Sequence, residues 1–358
     1  MTAIEAPDVA VVGLGPAGSS AAAAAAAMGL SVIALERRAE AGCPVQCAEF
    51  VPAMLDQDVP ALVTITAQTI SRMQTYVEGG TADETLHFPG RMIDRAAFDR
   101  GLAEAAARAG ADCRYGIALR AIEPDGAIHT ADGGVIRPRV VIGADGPRSR
   151  IGAAIGEVNR DLVETRQITV PLRRTSDATD IFLRSEFTGG YGWLFPKGDV
   201  ANLGVGVSSC ARGRLKPLLA ALHRELVDLG RVGASARIHT GGFIPVGGPL
   251  RAIGWLGATP ALLSGDSLGL TNPVAGAGIA SAVQSGRLAG QSAGAWLAGR
   301  AAALEDYEDE IHDLFDAGLT RALRRRRALW ADKQHGSAGP PPAALRRGWI
   351  AYPQYWVD

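Results

Sequence analysis

Three glycines near the amino terminus have the spacing of a diphosphate-binding turn. Gly13, Gly15 and Gly18 follow an apolar run and precede a run of alanines. A glycine turn between a strand and a helix lets the backbone approach a pyrophosphate that lies on the helix N-terminus. Pro16 and Ala17 complete the turn, and we predict that all of these residues contact a dinucleotide cofactor.

Further along the chain, a carboxylate lies where the ribose of such a cofactor would be held. Glu36 lies 23 residues after Gly13, at the end of a second apolar run. A carboxylate at this position accepts hydrogen bonds from the ribose hydroxyls of an adenosine. We predict that Glu36 and the adjacent Arg37 contact the cofactor. A tight turn without a ligand is the alternative, but it does not account for the agreement of strand, glycine spacing, helix and distal acid.

The elements that must position these residues form a strand, helix, strand unit. Residues 6–12 are predicted as a buried parallel strand, the alanine run to residue 28 as a helix, and residues 31–36 as the next strand. Residues 9–35 carry no charge, so a membrane span or a secretion signal is the alternative for this stretch. A secretion signal is excluded because the segment 1–8 is acidic and lacks the basic residues that begin such a signal. A membrane span is excluded because glycines and a proline interrupt the apolar run.

The composition favours a protein that binds a small molecule and that lies in a reducing compartment. The 358 residues include 36 Lys plus Arg and 37 Asp plus Glu, so no overall charge attracts nucleic acid or an anionic membrane. The four cysteines are too few and too irregular for a secreted disulfide framework, and no pairing with histidine predicts a metal site. We expect a cytoplasmic protein without a transmembrane segment. The arginines at 324–327 are interpreted as a solvated helix face, with docking to an acidic lipid headgroup or a membrane surface as the alternative.

The rest of the chain predicts a second domain inserted into the first. Residues 167–208 alternate in the way of an antiparallel sheet, and residues 261–263 predict a return strand to the nucleotide-binding domain. Residues 91–110 and 215–229 have helical spacing. We therefore predict an α/β fold, with a Rossmann-type nucleotide-binding domain and an α+β substrate domain built on an antiparallel sheet. The predicted ranges are 1–60, 91–163 and 256–300 for the first domain, 61–90 and 164–255 for the second, and 301–358 for a C-terminal helical segment.

Three later segments distinguish FAD from NAD, which the glycine turn alone does not. Apolar strands precede Gly-Ala-Asp-Gly-Pro at 143–147 and Ser-Gly-Asp-Ser at 264–267, and Asn-Pro-Val-Ala-Gly-Ala-Gly follows at 272–278. In this order the segments resemble the p-hydroxybenzoate hydroxylase superfamily of FAD-dependent enzymes. The resemblance implies that Asp266 binds the ribityl hydroxyls of the flavin. It also implies that the helix after 272–278 directs its N-terminus at the isoalloxazine ring, where it favours negative charge on a reduced flavin.

Shorter segments narrow the resemblance to the geranylgeranyl reductase family. Pro-Val-Gln-Cys-Ala-Glu at 44–49 is similar to that family's Cys-Gly-Glu loop, with Ala48 in place of the usual glycine. Tyr-Gly-Trp-Leu-Phe-Pro at 191–196 matches its Tyr-x-Trp-x-Phe-Pro pattern. Arg-Ala-Ala-Phe-Asp at 95–99 is like its flavin-contacting helix start. The resemblance covers residues 7–300 of the chain.

This resemblance implies a set of site residues. It places Cys47 at the reacting face of the flavin, as the catalytic residue, and Tyr191, Trp193 and Phe195 in an isoprenoid pocket. An inert thiol and ordinary core packing of the aromatic residues are the alternatives. The predicted cofactor contacts are Gly13, Gly15, Pro16, Ala17, Gly18, Glu36, Arg37, Arg95, Leu119, Asp145, Gly146, Gly265, Asp266, Pro273, Gly276, Ala277 and Gly278.

The resemblance implies a reaction and leaves rivals open. It implies that reduced FAD saturates a carbon–carbon double bond of an isoprenoid. The chain has no second glycine unit for NADPH, so transient docking of NADPH and delivery by a ferredoxin are both open as electron sources. A monooxygenase on the same fold is the first alternative. A disulfide reductase would have four residues between its cysteines, but Cys43 and Cys47 are separated by three. A non-catalytic flavin-binding sensor is the remaining alternative.

Overall fold

The structure is a computed structural model that describes residues 4–53, 55, 62–331 and 339–357. Its strands are β1 (Ile4–Glu5), β2 (Val9–Val12), β3 (Val32–Glu36), β4 (Phe50–Pro52), β5 (Thr66–Ile70), β6 (Arg72–Val77), β7 (Ala82–Thr85), β8 (Gly90–Ile93), β9 (Asp112–Tyr115), β10 (Leu119–Ile122), β11 (Ile128–Thr130), β12 (Val135–Ile136), β13 (Val140–Gly143), β14 (Leu162–Pro171), β15 (Ala178–Leu183), β16 (Gly192–Lys197), β17 (Val200–Ser208), β18 (Ile238–Thr240), β19 (Phe243–Pro245), β20 (Ile253–Leu256) and β21 (Thr259–Leu263). Its helices are α1 (Pro16–Ala27), α2 (Leu62–Ile65), α3 (Arg95–Arg108), α4 (Arg150–Ala154), α5 (Leu215–Asp228), α6 (Ile279–Leu297), α7 (Ala303–Trp330), α8 (Pro342–Arg347) and α9 (Pro353–Trp356). Short 3-10 helices lie at Ser209–Arg214 and Gly265–Leu268.

The centre of the nucleotide-binding domain is a six-stranded sheet in the order β20, β21, β13, β2, β3, β9. Neighbouring strands pair in parallel except β20, which runs antiparallel to β21. The side chains of β2 and β13 are buried throughout, as expected for parallel strands that are covered on both faces. The uncharged stretch at 9–35 is therefore a strand, a turn, a helix and a second strand, as predicted. A separate four-stranded sheet has the order β1, β12, β11, β10.

Helices α1 and α6 pack so closely that glycine is required between them. A Cβ atom on Gly286 would lie 2.0 Å from the carbonyl oxygen of Ala17, and one on Gly290 would lie 2.3 Å from that of Ala21. Since Ala17 faces Gly286 and Ala21 faces Gly290, the two helices run in the same direction. Their N-termini therefore open on the same edge of the domain, with the glycine turn before α1 and the 272–278 loop before α6.

The second domain is built on an eight-stranded sheet. In it β18, β14, β17, β16, β15, β6 and β7 follow one another, and β19 pairs with β14. Helix α5 covers one face with Leu218, Leu222 and Leu226, and the opposite face carries Trp193 and Phe195. Neighbouring strands are antiparallel, as predicted, except that β15 and β6 pair in parallel. The predicted combination of a Rossmann-type domain and an α+β domain is confirmed.

The predicted start of a helix at residue 91 is wrong. Residues 91–93 are predicted as helix, but they belong to β8, and α3 begins at Arg95. The helix begins there because the Asp94 side chain caps it, accepting a hydrogen bond from a first-turn N–H at 3.0 Å. β8 pairs with β4 and β5 in a three-stranded sheet that joins residues from both sides of the predicted boundaries at 60/61 and 90/91.

The first half of helix α7 packs on the first domain. Helix α7 buries Leu304, Tyr307 and Ile311 in the core that also holds β2 and β21. The first domain also resumes earlier in the chain than predicted. β20 belongs to its six-stranded sheet and begins at residue 253, whereas the predicted start of the last part of this domain is residue 256.

The arginine run at 324–327 is not a uniformly solvated face, which corrects the sequence interpretation. Arg324 and Arg327 are exposed, but Arg326 is only 9% exposed. Helical periodicity turns Arg326 to the same side as the buried Ala322, where its guanidinium donates to the carbonyl oxygens of Gly189 and Pro273. Burial lowers the pKa of Arg326.

Within the described ranges, the helices are all too short or too polar to cross a membrane. The same part of the chain contains no cluster of His, Cys, Asp or Glu side chains that could hold a metal ion.

Candidate active site

The glycine turn leaves space for a diphosphate at the N-terminus of α1. Gly13 has φ +98° and donates from its backbone N–H to the Leu35 carbonyl at 2.7 Å, which holds the turn against the end of β3. A Cβ atom on Gly18 would lie 1.7 Å from the Gly13 carbonyl oxygen, so packing requires this glycine. A Cβ atom on Gly15 would meet nothing within 4 Å, and no side chain caps the helix that follows. The open space and the uncapped N–H groups fit the pyrophosphate of FAD.

Glu36 holds the turn together and keeps capacity for a ribose. One of its carboxylate oxygens accepts from the backbone N–H of Leu14 at 3.0 Å, and the other accepts from that of Arg38 at 2.9 Å. A carboxylate offers about four lone-pair sites, so both oxygens can also accept from ribose hydroxyls. Arg37 is exposed beside it. The contacts of Glu36 and Arg37 with the cofactor stay predictions.

The first aspartate motif caps a helix beside the glycine turn. The Asp145 carboxylate accepts from the backbone N–H of Arg150 at 2.6 Å and from the Ser149 hydroxyl. The Arg150 guanidinium in turn donates to the carbonyl oxygen of Leu119 in β10. Burial raises the pKa of Asp145, and the hydrogen bond from Ser149 opposes that shift. Asp145 and Leu119 therefore share one network through Arg150, and Gly146, with φ +84°, completes the turn.

The second aspartate motif places a carboxylate near the start of α1. Gly265 has φ +59°, and a Cβ atom on it would lie 2.9 Å from the Cβ of Ala17. Asp266 accepts from the Thr271 hydroxyl at 2.6 Å. Burial raises the pKa of the Asp266 carboxyl, while the Thr271 bond and the positive charge of Arg95 act to lower it. A carboxylate in this position suits the predicted contact with ribityl hydroxyls.

The 272–278 loop is held in shape by its own first residue. The Asn272 side chain accepts from two backbone N–H groups of the loop, both at 2.9 Å. Gly276 has φ +69°, a conformation that favours glycine. The Tyr191 hydroxyl donates to the carbonyl oxygen of Ala275 at 2.6 Å and so connects the aromatic strand with this loop. The contacts of the loop with the flavin ring stay predictions.

Cys47 lies where the two domains meet. Its sulfur accepts from a backbone N–H two residues further along at 3.2 Å and lies beside the Arg95 guanidinium. Burial lowers the pKa of Arg95, but the Asp99 carboxylate and the Cys47 sulfur outweigh this effect, and the net shift is upward. Burial raises the pKa of Tyr191, and the sulfur adds to that shift. Cys47 is thus close to a cation whose charge also acts on Asp266.

Glu49 anchors the cysteine loop, a role that its place in the Cys-Ala-Glu motif could have indicated. It has φ +69°, and its buried carboxylate accepts from Lys197 Nζ at 2.8 Å and from Asn202 Nδ2 at 2.9 Å. It also accepts from the backbone N–H of Arg95 at 3.1 Å. Glu49 thereby connects the loop to both domains. No motif indicates Lys197 or Asn202, because they meet Glu49 only in the folded protein.

Hydrogen bonds connect the cysteine loop to the aromatic strand. Gln167 donates from Nε2 to the carbonyl oxygen of Cys47 at 3.0 Å and accepts from Trp193 Nε1 at 2.9 Å. Trp193 lies over Gly204 on the neighbouring strand, where a Cβ atom would lie 2.1 Å from the indole. The rings of Trp193 and Phe195 are 6.5 Å apart, and both side chains are 7% exposed. The side chains of the strand are therefore buried in an apolar cluster, and Trp193 also orients the backbone of Cys47 through Gln167.

The chain matches relatives of known name over most of their length. Residues 8–163 match the family model described as Lycopene cyclase protein. The chain is 35% identical over 342 residues to digeranylgeranylglycerophospholipid reductase 2 of Methanopyrus kandleri, which covers 88% of this chain and 85% of that protein. The digeranylgeranylglycerophospholipid reductase of Methanosarcina acetivorans is 32% identical over 324 residues, which covers 84% of this chain and 78% of that protein. The chain belongs to this reductase family.

One solved structure agrees with the assignment to the reductase family, and a more distant one shows the same fold. A geranylgeranyl bacteriochlorophyll reductase-like protein from Thermoplasma acidophilum superposes with a TM-score of 0.80 at 27% identity, covering 99% of this chain and 98% of that chain. The probable FAD-dependent monooxygenase pqsL of Pseudomonas aeruginosa shares the fold, with a TM-score of 0.70 at 17% identity, covering 92% of this chain and 98% of that chain. The family resemblance found in the sequence is confirmed, and the reductase is a flavin-dependent oxidoreductase.

In this reductase, Asp266→Ala is expected to weaken FAD retention and to leave the fold intact. The substitution removes acceptors for the ribityl hydroxyls without emptying the core. If Asp266 only braces its turn through Thr271, the loss is about 1 kcal/mol of unfolding free energy, and flavin content does not change. Flavin occupancy after gel filtration and the melting temperature separate the two cases. Thr271→Val breaks the same hydrogen bond but keeps the carboxylate, so this control should retain FAD.

Proposed function

We propose that this protein saturates carbon–carbon double bonds of a geranylgeranyl-type isoprenoid lipid. The observation that carries the proposal is the position of Cys47, between the Arg95 guanidinium on the flavin-domain side and the Gln167–Trp193 pair on the aromatic face. The names of the relatives, which specify reductases of a geranylgeranyl lipid, support the same substrate class.

An isolated alkene has no carbonyl group to polarise, so its placement in a dry pocket must supply most of the catalysis. The buried apolar cluster that contains Trp193 and Phe195 is the site that we propose for the isoprenoid chain. Two sets of hydrogen bonds hold the cysteine loop in place. Gln167 donates to the backbone carbonyl of Cys47. The carboxylate of Glu49, which belongs to the loop, accepts from Lys197, Asn202 and the backbone N–H of Arg95. These hydrogen bonds fix the position of the cysteine loop relative to the aromatic side chains.

The two hydrogens come from different sources in the proposed reaction. When bound and reduced, FAD supplies a hydride to one alkene carbon. Cys47 gives its proton to the neighbouring carbon, and the S–H bonding pair stays on sulfur as a thiolate. The adjacent Arg95 guanidinium stabilises that negative charge. A proton from solvent then restores the thiol.

We further propose that electrons arrive from a donor that docks transiently, either NADPH or a ferredoxin, because the chain has a single Gly-x-Gly-x-x-Gly turn for a dinucleotide. We also place the protein in the cytoplasm, in peripheral contact with the membrane that holds its lipid substrate. Trp356 and Val357 support this location, since they are 58% and 63% exposed and the Arg321 guanidinium lies 5.6 Å from the Trp356 ring. An exposed tryptophan beside arginine is typical of a surface that meets lipid headgroups.

The test is a single-turnover reaction followed by mass spectrometry. The FAD-loaded protein is reduced without oxygen and mixed with a geranylgeranyl lipid. We expect a mass increase of two hydrogen atoms for each double bond saturated, and no increase with the oxidised protein. A parallel reaction in air tests the monooxygenase alternative, which shares the fold. A product that has gained an oxygen atom, with no saturated product in either reaction, would replace the proposed function with hydroxylation.

A further inference from the structure

The C-terminal strap, residues 339–357, lies across the aromatic face. Leu345 and Trp349 are 2% and 3% exposed, and both are buried in the hydrophobic cluster that contains Trp193 and Phe195. The strap is fastened to β7, because Arg346 Nε and the Tyr352 hydroxyl donate to the Asp83 carboxylate at 2.9 and 2.6 Å. It therefore covers the apolar cluster that we propose as the site of the isoprenoid chain.

Trp349 adds a third ring to the neighbouring pair Tyr191 and Trp193. The centroid of its ring lies 4.9 Å from that of Tyr191, which lies 5.8 Å from that of Trp193. The Tyr191 hydroxyl bonds the loop before α6 at Ala275. Trp349 thus lies at one end of the row, next to the residue that connects the aromatic face with the flavin-domain loop.

The indole N–H of Trp349 is buried and has no hydrogen-bond partner in the part of the chain that the structure describes. A buried donor without an acceptor is costly, so such groups are rare unless a ligand completes them. The hydroxyls of Thr75 and Thr179 are also buried and unpartnered among the described residues. Thr75 lies opposite Ile181, which lies opposite Trp193, so Thr75 shares a row across the sheet with the aromatic strand. This apolar face therefore has unused polar groups.

A geranylgeranyl chain cannot satisfy these groups, because a hydrocarbon has no acceptor lone pairs. The nearest acceptor in such a lipid is the oxygen atom that carries the chain. We propose that Trp349 donates its indole N–H to this oxygen and is a specificity-determining residue for oxygen-linked isoprenoids. The inference rests on the proposed function, since it places the polar end of the proposed substrate at the strap. The chain then runs from Trp349 along Tyr191 and Trp193.

The test compares two ligands that differ in one atom. Geranylgeranyl methyl ether and the hydrocarbon with CH2 in place of its oxygen are titrated into the oxidised, FAD-loaded protein, which does not turn over. The ratio of the two dissociation constants reports the oxygen contact, and it is insensitive to the fraction of folded protein. In Trp349→Phe the preference for the ether should fall by about tenfold, because the ring remains but the donor is lost.

Trp255→Phe is the matched control, because it makes the same change of side chain. Trp255 is 54% exposed on β20 of the first sheet and lies outside the apolar cluster that contains Trp349. This variant should keep the wild-type ratio. An unchanged ratio in Trp349→Phe would overturn the inference and leave the proposed function standing. If the wild-type protein binds neither ligand, the proposed function fails and the inference fails with it.

Discussion

Gly15→Val protein should fold, contain no flavin and melt near the temperature of the wild-type apoprotein, since the flavin-bound wild type has the added stability of its ligand. The backbone at Gly15 has φ −74° and ψ −172°, which valine adopts without strain. Apart from the adjoining residues, a Cβ atom there meets no described protein atom within 4 Å, and it would enter the space predicted for a pyrophosphate on the helix N-terminus. The expected effect is therefore a nearly complete loss of cofactor, with little change in the stability of the apoprotein.

Visible absorbance of the purified protein and identification of the released flavin measure the effect. The wild-type protein should release FAD, since Glu36 and the glycine turn suit an adenosine diphosphate moiety. Gly101→Val in α3 is the control, because a Cβ atom on Gly101 also meets nothing within 4 Å among the described residues, and Gly101 lies outside the turn. Full flavin occupancy in Gly15→Val, or release of FMN by the wild type, would show that the turn is misassigned.

Cys47→Ser should keep FAD, still accept electrons and lose most alkene saturation. The bond from Gln167 goes to the backbone carbonyl of residue 47, so serine preserves the hold of β14 on the loop. A serine hydroxyl gives up its proton far less readily than a thiol, and loss of a general acid typically lowers the rate by about 10²- to 10⁴-fold. The loss should fall on the chemical step and leave flavin reduction nearly unchanged.

Single-turnover saturation and the rate of flavin reduction, measured on the same sample, separate these steps. Cys43→Ser, in the same loop, is the control and should behave as the wild type. Equal activity losses in both variants would favour a role for the cysteine pair, whereas saturation at the wild-type rate in Cys47→Ser would leave Cys47 without a chemical role.

The sequence by itself determined the parts of the site that depend on local geometry. The turn at Gly13, Gly15 and Gly18 could be predicted because strand, turn and helix are contiguous and each glycine answers a local requirement. The position of Glu36 near the turn could be predicted because it lies at the end of the second strand of the same strand, helix, strand unit, 23 residues after Gly13. The family motifs around Cys47 and Tyr191 could be recognised for the same reason, since each is a short, continuous segment.

Only the tertiary structure decided which of these segments meet. Gln167 lies 120 residues from Cys47, and Asn202 lies 153 residues from Glu49, yet each pair is hydrogen-bonded. Trp349 reaches Tyr191 through a strap that matches no predicted motif. Contacts at such separations leave no periodic pattern along the chain, because they arise where the faces of two sheets and a terminal segment pack together. The packing of those faces therefore decided which residues surround the Cys47 loop.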